Sequence, residues 1–329
     1  MKRLALVLPV LVTRLLFPAL PAFAESTLAA AKALLAKMSP DRKFMALLPF
    51  DSPARTKWHF FPKEREGIPI ERMDEEQKEL LWKLLETCLS PAGIEQAKGV
   101  IRLEQVLLDK EQSPTRDPGR YYLVFWGEPA PDKRWGFRFE GHHLSLNVTL
   151  EGEKPISMTP LFLGANPAKV LEGEWMGFRN LPLEEDVAYE FLAALGKEDR
   201  EKARVPGDPI EVEGAEQAAI RSPLGAGLRI ADLDPSRREL FKKLLETYLD
   251  CFQGEAFASL GRDLDSILAE PELVFQWRGG MERGQNCYYR ICGKGIDIQF
   301  SNRQNNANHV HTLVWLPGLD FGLSREGSK

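Results

Sequence analysis

The sequence predicts an α+β protein made of an internally duplicated helix–helix–strand–hairpin unit, with antiparallel sheets and a pseudo-two-fold relation between the halves. Three observations predict it. Leu80, Leu81, Leu84, Leu85 and Leu89 recur at helical spacing, whereas Trp135, Phe137 and Phe139 alternate as on one face of a strand. Gly67–Leu89 laid on Gly227–Leu249 at a constant offset of 160 gives eleven identities in 23 positions without a gap. The likeness then continues in the same order through a second helix, a strand and a hairpin, which chance agreement of two amphipathic helices does not explain.

Taken in order, the chain opens with Lys2 and Arg3, an apolar run from Leu4 to Leu20, and Pro21-Ala22-Phe23-Ala24 before Glu25-Ser26. A basic start, an apolar middle and a small-x-small ending describe a signal peptide, residues 1–24, cleaved after Ala24. Arg14 interrupts the run, and no later stretch approaches the ~20 apolar residues that span a bilayer. The expectation is an exported chain, periplasmic or extracellular, with no membrane span after signal removal.

Leu28–Lys37 reads as a helix ended near Ser39-Pro40, and Pro49–Pro69 as irregular. Asp74–Ser90 is an amphipathic helix, with Asp74 and Gln77 in a capping-box pattern. Ile94–Leu108 follows, then strand-like Tyr121–Trp126, Trp135–Phe139 and His143–Leu150. The apolar positions change parity around Glu140-Gly141, which marks a tight hairpin there. His143, Ser145 and Asn147 then share the more polar face of the second strand. Thr159–Val170 reads as a loop, Leu183–Leu195 as a helix and Lys197–Glu216 as charged and loop-like. The repeat returns with Leu264, Ile267 and Leu268 on Leu103, Val106 and Leu107, and with Tyr289–Gly293 on Phe137–Gly141. The halves are residues 25–182 and 183–329, forming one globular unit.

Composition narrows the function. Loss of Lys2, Arg3 and Arg14 with the leader takes the formal charge from −5 to −8, which argues against nucleic acid as a partner. Four cysteines in an exported chain are free to pair, and a Cys88–Cys251 bridge between matching helix ends is one candidate. There is no Cys-x-x-Cys, Gly-x-Ser-x-Gly, Walker loop, His-Glu-x-x-His or dinucleotide fingerprint. A nucleotide cofactor is not expected.

The five histidines fall in three short segments: His59, then His142 and His143, then His309 and His311. On a strand, i and i+2 side chains share a face, so His309 and His311 offer two imidazoles together. None of the five lies in the Lys/Glu-rich helices, and His142-His143 aligns with Lys294-Gly295, so only one half has that pair. A single composite site between the halves accounts for this asymmetry. All five are candidate ligands of a divalent metal, with zinc, copper or iron suited to imidazole. The competing explanation is that they are solvated or structural.

Arg138, Glu140, Asn147, Asn166, Asn305, Asn306 and Asn308 are candidate ligand-binding residues, since amides both donate and accept. For Asn305-Asn306 the plainer explanation is a turn, and for Arg138 with its counterpart Arg290 a structural ion pair. Exposed turn charge is the plainer account of Glu140 and Asp320.

WGFRFEGHHLSLNVTL (Trp135–Leu150), TPLFLGANPAKV (Thr159–Val170) and QNNANHVHTLVW (Gln304–Trp315) resemble the bacterial domain-of-unknown-function family 3500, as do Trp58-His59-Phe60 and Arg65-x-Gly67. That resemblance implies export and a single full-length unit, and it names no catalytic residue. Residue chemistry alone predicts a metal-dependent hydrolase or oxidase acting on a small polar molecule. The alternative is a non-catalytic binding protein for a small polar ligand or glycan.

Overall fold

The computed structural model describes residues 25–220 and 222–323, so the expected signal peptide lies outside the described residues. In chain order come α1 (Thr27–Lys37), α2 (Pro40–Ala46), β1 (Leu47–Leu48), β2 (Ile68–Pro69), α3 (Glu75–Glu86) and α4 (Pro91–Glu111). Five strands follow: β3 (Tyr122–Trp126), β4 (Arg134–Gly141), β5 (Leu144–Glu151), β6 (Lys154–Ser157) and β7 (Leu161–Ala165). Next are α5 (Pro182–Ala194), α6 (Lys197–Ala203), β8 (Leu228–Arg229), α7 (Pro235–Leu249), α8 (Gly254–Ala258) and α9 (Leu264–Leu268). The chain closes with β9 (Val274–Gly279), β10 (Cys287–Cys292), β11 (Asp297–Ser301) and β12 (Val310–Trp315).

The protein is a mixed α+β structure around one sheet rather than separate ones. Its strand order is β1-β3-β4-β5-β7-β12-β11-β10-β9-β8, with β2 added on β3 and β6 on β5. All pairings are antiparallel except β1 with β3. Alternation decides what each face meets. Phe137, Phe139, Leu144, Leu146, Tyr289, Ile291, Ile298 and Phe300 point into the main core, shared with Leu81, Leu84 and Leu85 of α3 and Phe241, Leu244 and Leu245 of α7. The opposite face is covered by irregular segments, where Trp58, Phe60 and Val212 close over Phe162, Leu313 and Trp315.

Local signals hold where they are short-range. Asp74 and Gln77 form both bonds of the capping box at α3, a device that contributes about 1 kcal/mol. Ser39 caps α2 immediately after α1 ends. Four expectations change. The 159–170 segment contains β7, a strand in the middle of the sheet, because LFLGA finds partners on both sides in β5 and β12. Residues 197–203 form α6, stabilised by Lys202 with Glu198 and Asp199 along one face. The β4–β5 hairpin turns through His142-His143 rather than Glu140-Gly141, with His143 in the left-handed region at φ 62°. All four cysteines are buried free thiols, so no Cys88–Cys251 bridge forms. Leu89 instead pairs with Phe252 in an antiparallel bridge, supported by Ser90 N–H donating to Cys251 O and Gln253 N–H to Cys88 O. Among the described residues no helix is long and apolar enough to cross a membrane.

Candidate metal centre

Three strands bring the histidines together through their register. Leu144 pairs with Leu163 and His311 with Gly164, so one step beyond Leu144 places His143 beside Gly164, in a row with His311. The backbone confirms that step, since Gly164 N–H donates to His143 O at 2.8 Å. Outer residues of such a row stand about 9–10 Å apart, two strand spacings. Their rings meet only because the middle residue has no side chain. A Cβ added at Gly164 would lie 2.9–3.1 Å from His143 ring and Cβ atoms. His309, two residues before His311, points to the same face from the end of β12.

The result is a tight cluster. His143 Nε2 lies 3.0 Å from His309 Nε2 and 3.1 Å from His311 Nε2. One potential donor nitrogen from each of the three lies within 4.8 Å of the others. Phe60 and Phe162 stack in parallel, 4.4 Å apart, and form the apolar wall beside His311. His311 Nδ1 is 2.7 Å from Glu211 Oε1, so it donates its proton there and leaves a lone pair on Nε2. Burial acts to raise the Glu211 carboxyl, but the contacts with His311, Val212 N–H and Gln304 hold it below its ordinary value. Burial drives His143 well below its ordinary pKa, and His309 is pushed down to about 3 by burial and then by His311.

These rings fit a cation. Both close nitrogen pairs share His143 Nε2, and one ring nitrogen carries either a proton or a lone pair, so it cannot donate to one partner while accepting from the other. Ligand bonds of 2.0–2.1 Å to a tetrahedral zinc ion put nitrogens about 3.3 Å apart, close to the spacing found. A cavity of about 390 Å³ opens onto the cluster and is bordered by Arg116, His142, Asn166, Arg303 and Gln304. Such an opening leaves room for a fourth ligand, as catalytic zinc sites require.

Not every expected ligand joins. His142 stacks on His143, ring centroids 3.8 Å apart, but its Nδ1 contacts the Glu104 carboxylate. Arg116 Nη1 lies 3.2 and 3.3 Å from its two ring nitrogens, which places the guanidinium over the ring face. His59 is turned away, into a cavity shared with Arg65, Arg138 and Glu140. Burial, then Arg65, pushes its pKa down to about 3. The structure thus brings three histidines together, stacks a fourth against them and leaves the fifth apart.

The polar candidates divide likewise. Glu140 is only 2% exposed, not a turn charge, and accepts from His59 N–H, Arg65 Nε and Ser145 Oγ at 2.9–3.1 Å. Arg138 donates to Ala54 O and Arg55 O and lies 3.5 Å from Glu140, so this pair fastens the covering segment to the sheet. Asn147 donates to Ser145 Oγ and Pro160 O within the same buried network. Asp320 is also buried, accepting from Leu316 N–H, and burial raises its carboxyl to about 6. Asn166 borders the histidine cavity and accepts from Asn305 Nδ2 at 3.2 Å. Asn305 and Asn306 have φ of 52° and 53°, as the turn explanation requires, and Ala307 follows at 63°. Asn308 pairs with both backbone groups of Lys169, holding that turn to the segment after β7.

Sequence reasoning missed Glu211, Glu104, Arg116 and Gly164. The carboxylates approach from 100 and 38 residues away, and no local pattern links them to a histidine. Gly164 carried a signal, since a lone glycine inside an apolar run marks close approach of another group.

A family model described as a protein of unknown function, DUF3500, matches residues 22–323, nearly the whole chain. No curated protein and no solved structure matches.

Proposed function

The chain belongs to the DUF3500 family, and we propose that it holds one divalent transition ion on His143, His309 and His311 and uses it for hydrolysis of a small polar substrate. The observation that carries this reading is the convergence of three buried imidazole nitrogens at an open cavity, with Glu211 fixing the tautomer of one. Neutral imidazoles suit zinc, copper and iron alike, and no cysteine or methionine borders the cavity to favour soft Cu(I). When bound, the ion supplies Lewis acidity toward a polar group of the substrate.

The chain's own residues do the remainder. Glu211 holds the His311 Nδ1 proton and sets the ring's angle. Phe60 and Phe162 keep water from one side of the cluster. Asn166 stands at the rim to donate hydrogen bonds to substrate, and the Glu104–His142 pair braces His143 by stacking on its ring.

Export belongs to the same reading, supported by the basic, apolar and small-residue succession of residues 1–24. So does duplication. Alongside the 160-residue offset, the order β3-β4-β5-β7 runs inward on one side as β9-β10-β11-β12 does on the other, meeting at the β7–β12 pair. Such an origin places the centre where the halves join, so neither half should work alone.

Protein prepared without a His tag, stripped with a chelator and titrated with zinc, tests the proposal. Uptake of about one ion per chain, with hydrolysis of a small activated ester rising in step, is expected. Absence of uptake in the wild type would refute it, as would hydrolysis that persists undiminished in the stripped protein.

A further inference from the structure

Next to the histidine cavity lies a larger one, of about 640 Å³, whose walls come from three places. The C-terminal turns of α4 form one side, residues 166–175 a second, and the left-handed turn at Asn305-Asn306 a third. Asn166 borders both cavities, so they adjoin at one side chain.

That side chain has unused capacity. Asn166 is 8% exposed, and its Oδ1 accepts from Asn305, yet no hydrogen bond among the described residues uses its Nδ2. That Nδ2 is not among the enclosed unpartnered atoms, so it is open to a hydrogen-bond acceptor in the cavities that Asn166 borders. Asn306, held beside it by the turn, likewise makes no side-chain hydrogen bond among the described residues.

The 166–175 wall also presents an indole. Trp175 sits on a turn closed by Val170 N–H to Phe178 O and Gly177 N–H to Val170 O, at 3.0 and 2.8 Å. Arg102 lies over the ring at 4.6 Å and Phe178 packs edge-on, so the indole is braced while remaining 37% exposed. Leu171 and Met176 beside it are 69% and 71% exposed, an unusual concentration of apolar surface at a cleft edge.

Charge narrows the occupant. Asp109, Glu111, Glu172 and Glu174 outnumber Lys110 and Lys169 on the walls, which disfavours an anionic ligand. Free amides, carboxylate acceptors and a braced indole match a ligand with many hydroxyls and a flat C–H face. We infer that this cleft binds a short neutral oligosaccharide, stacked on Trp175 and hydrogen-bonded by Asn306 and Asn166. The further consequence, that its end reaches the histidine centre past Asn166, rests on the metal reading above. The binding itself does not.

Tryptophan fluorescence reports on it directly, because Trp58, Trp126, Trp135, Trp277 and Trp315 are fully buried and Trp82 is half-buried, leaving Trp175 the most exposed indole. Wild-type protein, with and without prior chelation, is titrated with cellotetraose, chitotetraose and maltotetraose. A saturable change with at least one of them is expected, equal in stripped and loaded protein. Binding should weaken at least tenfold in Asn306→Ala, read by calorimetry, and in Trp175→Ala, with Trp175→Phe restoring part of it. Unchanged melting temperatures would show that the variants fold. No saturable change with any of the three sugars would overturn the inference, as would undiminished calorimetric affinity in Trp175→Ala. Loss of binding on chelation would move the ligand to the histidines and overturn the assignment to this cleft.

Discussion

The β4–β5 and β10–β11 hairpins lie on opposite sides of the central β7–β12 pair, and each buries an arginine under its covering segment. Arg138 binds Ala54 O, Arg55 O and Glu140, while Arg290 binds Ser222 O, Pro223 O and Asp297. The two guanidinium groups do the same work, fastening an irregular strap to a sheet. The hairpin ends do not. Lys294 N–H and Gly295 N–H donate to Glu270, and the Lys294 side chain is exposed with Glu272 3.0 Å away. His143 is buried, its N–H donating to Phe60 O and its carbonyl accepting from Gly164. Both corners are well bonded, so chemistry does not come from the corner itself. It comes from the neighbour: only the first ends beside a glycine that lets a ring reach across to the next strand.

The largest effect that separates the two corners is on metal retention. His143→Ala or His311→Ala removes one of three ligands and should reduce bound zinc from about one ion per chain to a trace, measured by elemental analysis after dialysis. Glu211→Gln keeps the shape but loses the charged acceptor behind His311, so zinc affinity should fall about 10–100-fold by competition with a chelating dye. Gly164→Ala tests the open row, since the added Cβ meets His143 at 2.9 Å. Overpacking of this kind costs about 1–3 kcal/mol, read as a lowered denaturation midpoint, and the displaced ring should weaken zinc binding with it.

A smaller contrast is electrostatic. In metal-free protein His309, near 3, lies below its ordinary 6.5, so the unfolded chain binds more protons between those values. Its contribution is therefore full above pH 6.5 and is lost as pH falls toward 3. Glu184, buried in the helical layer and raised to about 7, behaves oppositely: its contribution is full below 4.5 and is lost as pH rises through 7. Denaturant unfolding at pH 5 and 7 should show the acid-side loss shrinking in His309→Gln. The opposite loss, as pH rises from about 4.5 to 7, should shrink in Glu184→Gln. Smallest of all, Lys294→Ala at the other corner should change stability by no more than about 0.5 kcal/mol and leave zinc binding untouched.

What could be read beforehand followed the range of the forces involved. The α3 capping box and the face shared by His143, Ser145 and Asn147 are set by residues a few positions apart, and each was legible. The His-x-His pair was legible as two rings on one face. β7 was not, because its five residues sit between Pro160 and Pro167 and become a strand only through β5 and β12. His59 shared the aromatic setting of the other histidines, yet that setting serves the covering strap, and its ring faces Arg65 instead. Glu211 lies in a segment with no periodicity, and only the fold brings it to His311.

Anomalous diffraction at the zinc edge, on crystals of tag-free protein supplied with zinc, tests the central claim most directly. One strong peak within about 2.0–2.1 Å of Nε2 of His143, His309 and His311 is the predicted result. A strong peak at any other place, or none in the presence of zinc, would contradict it.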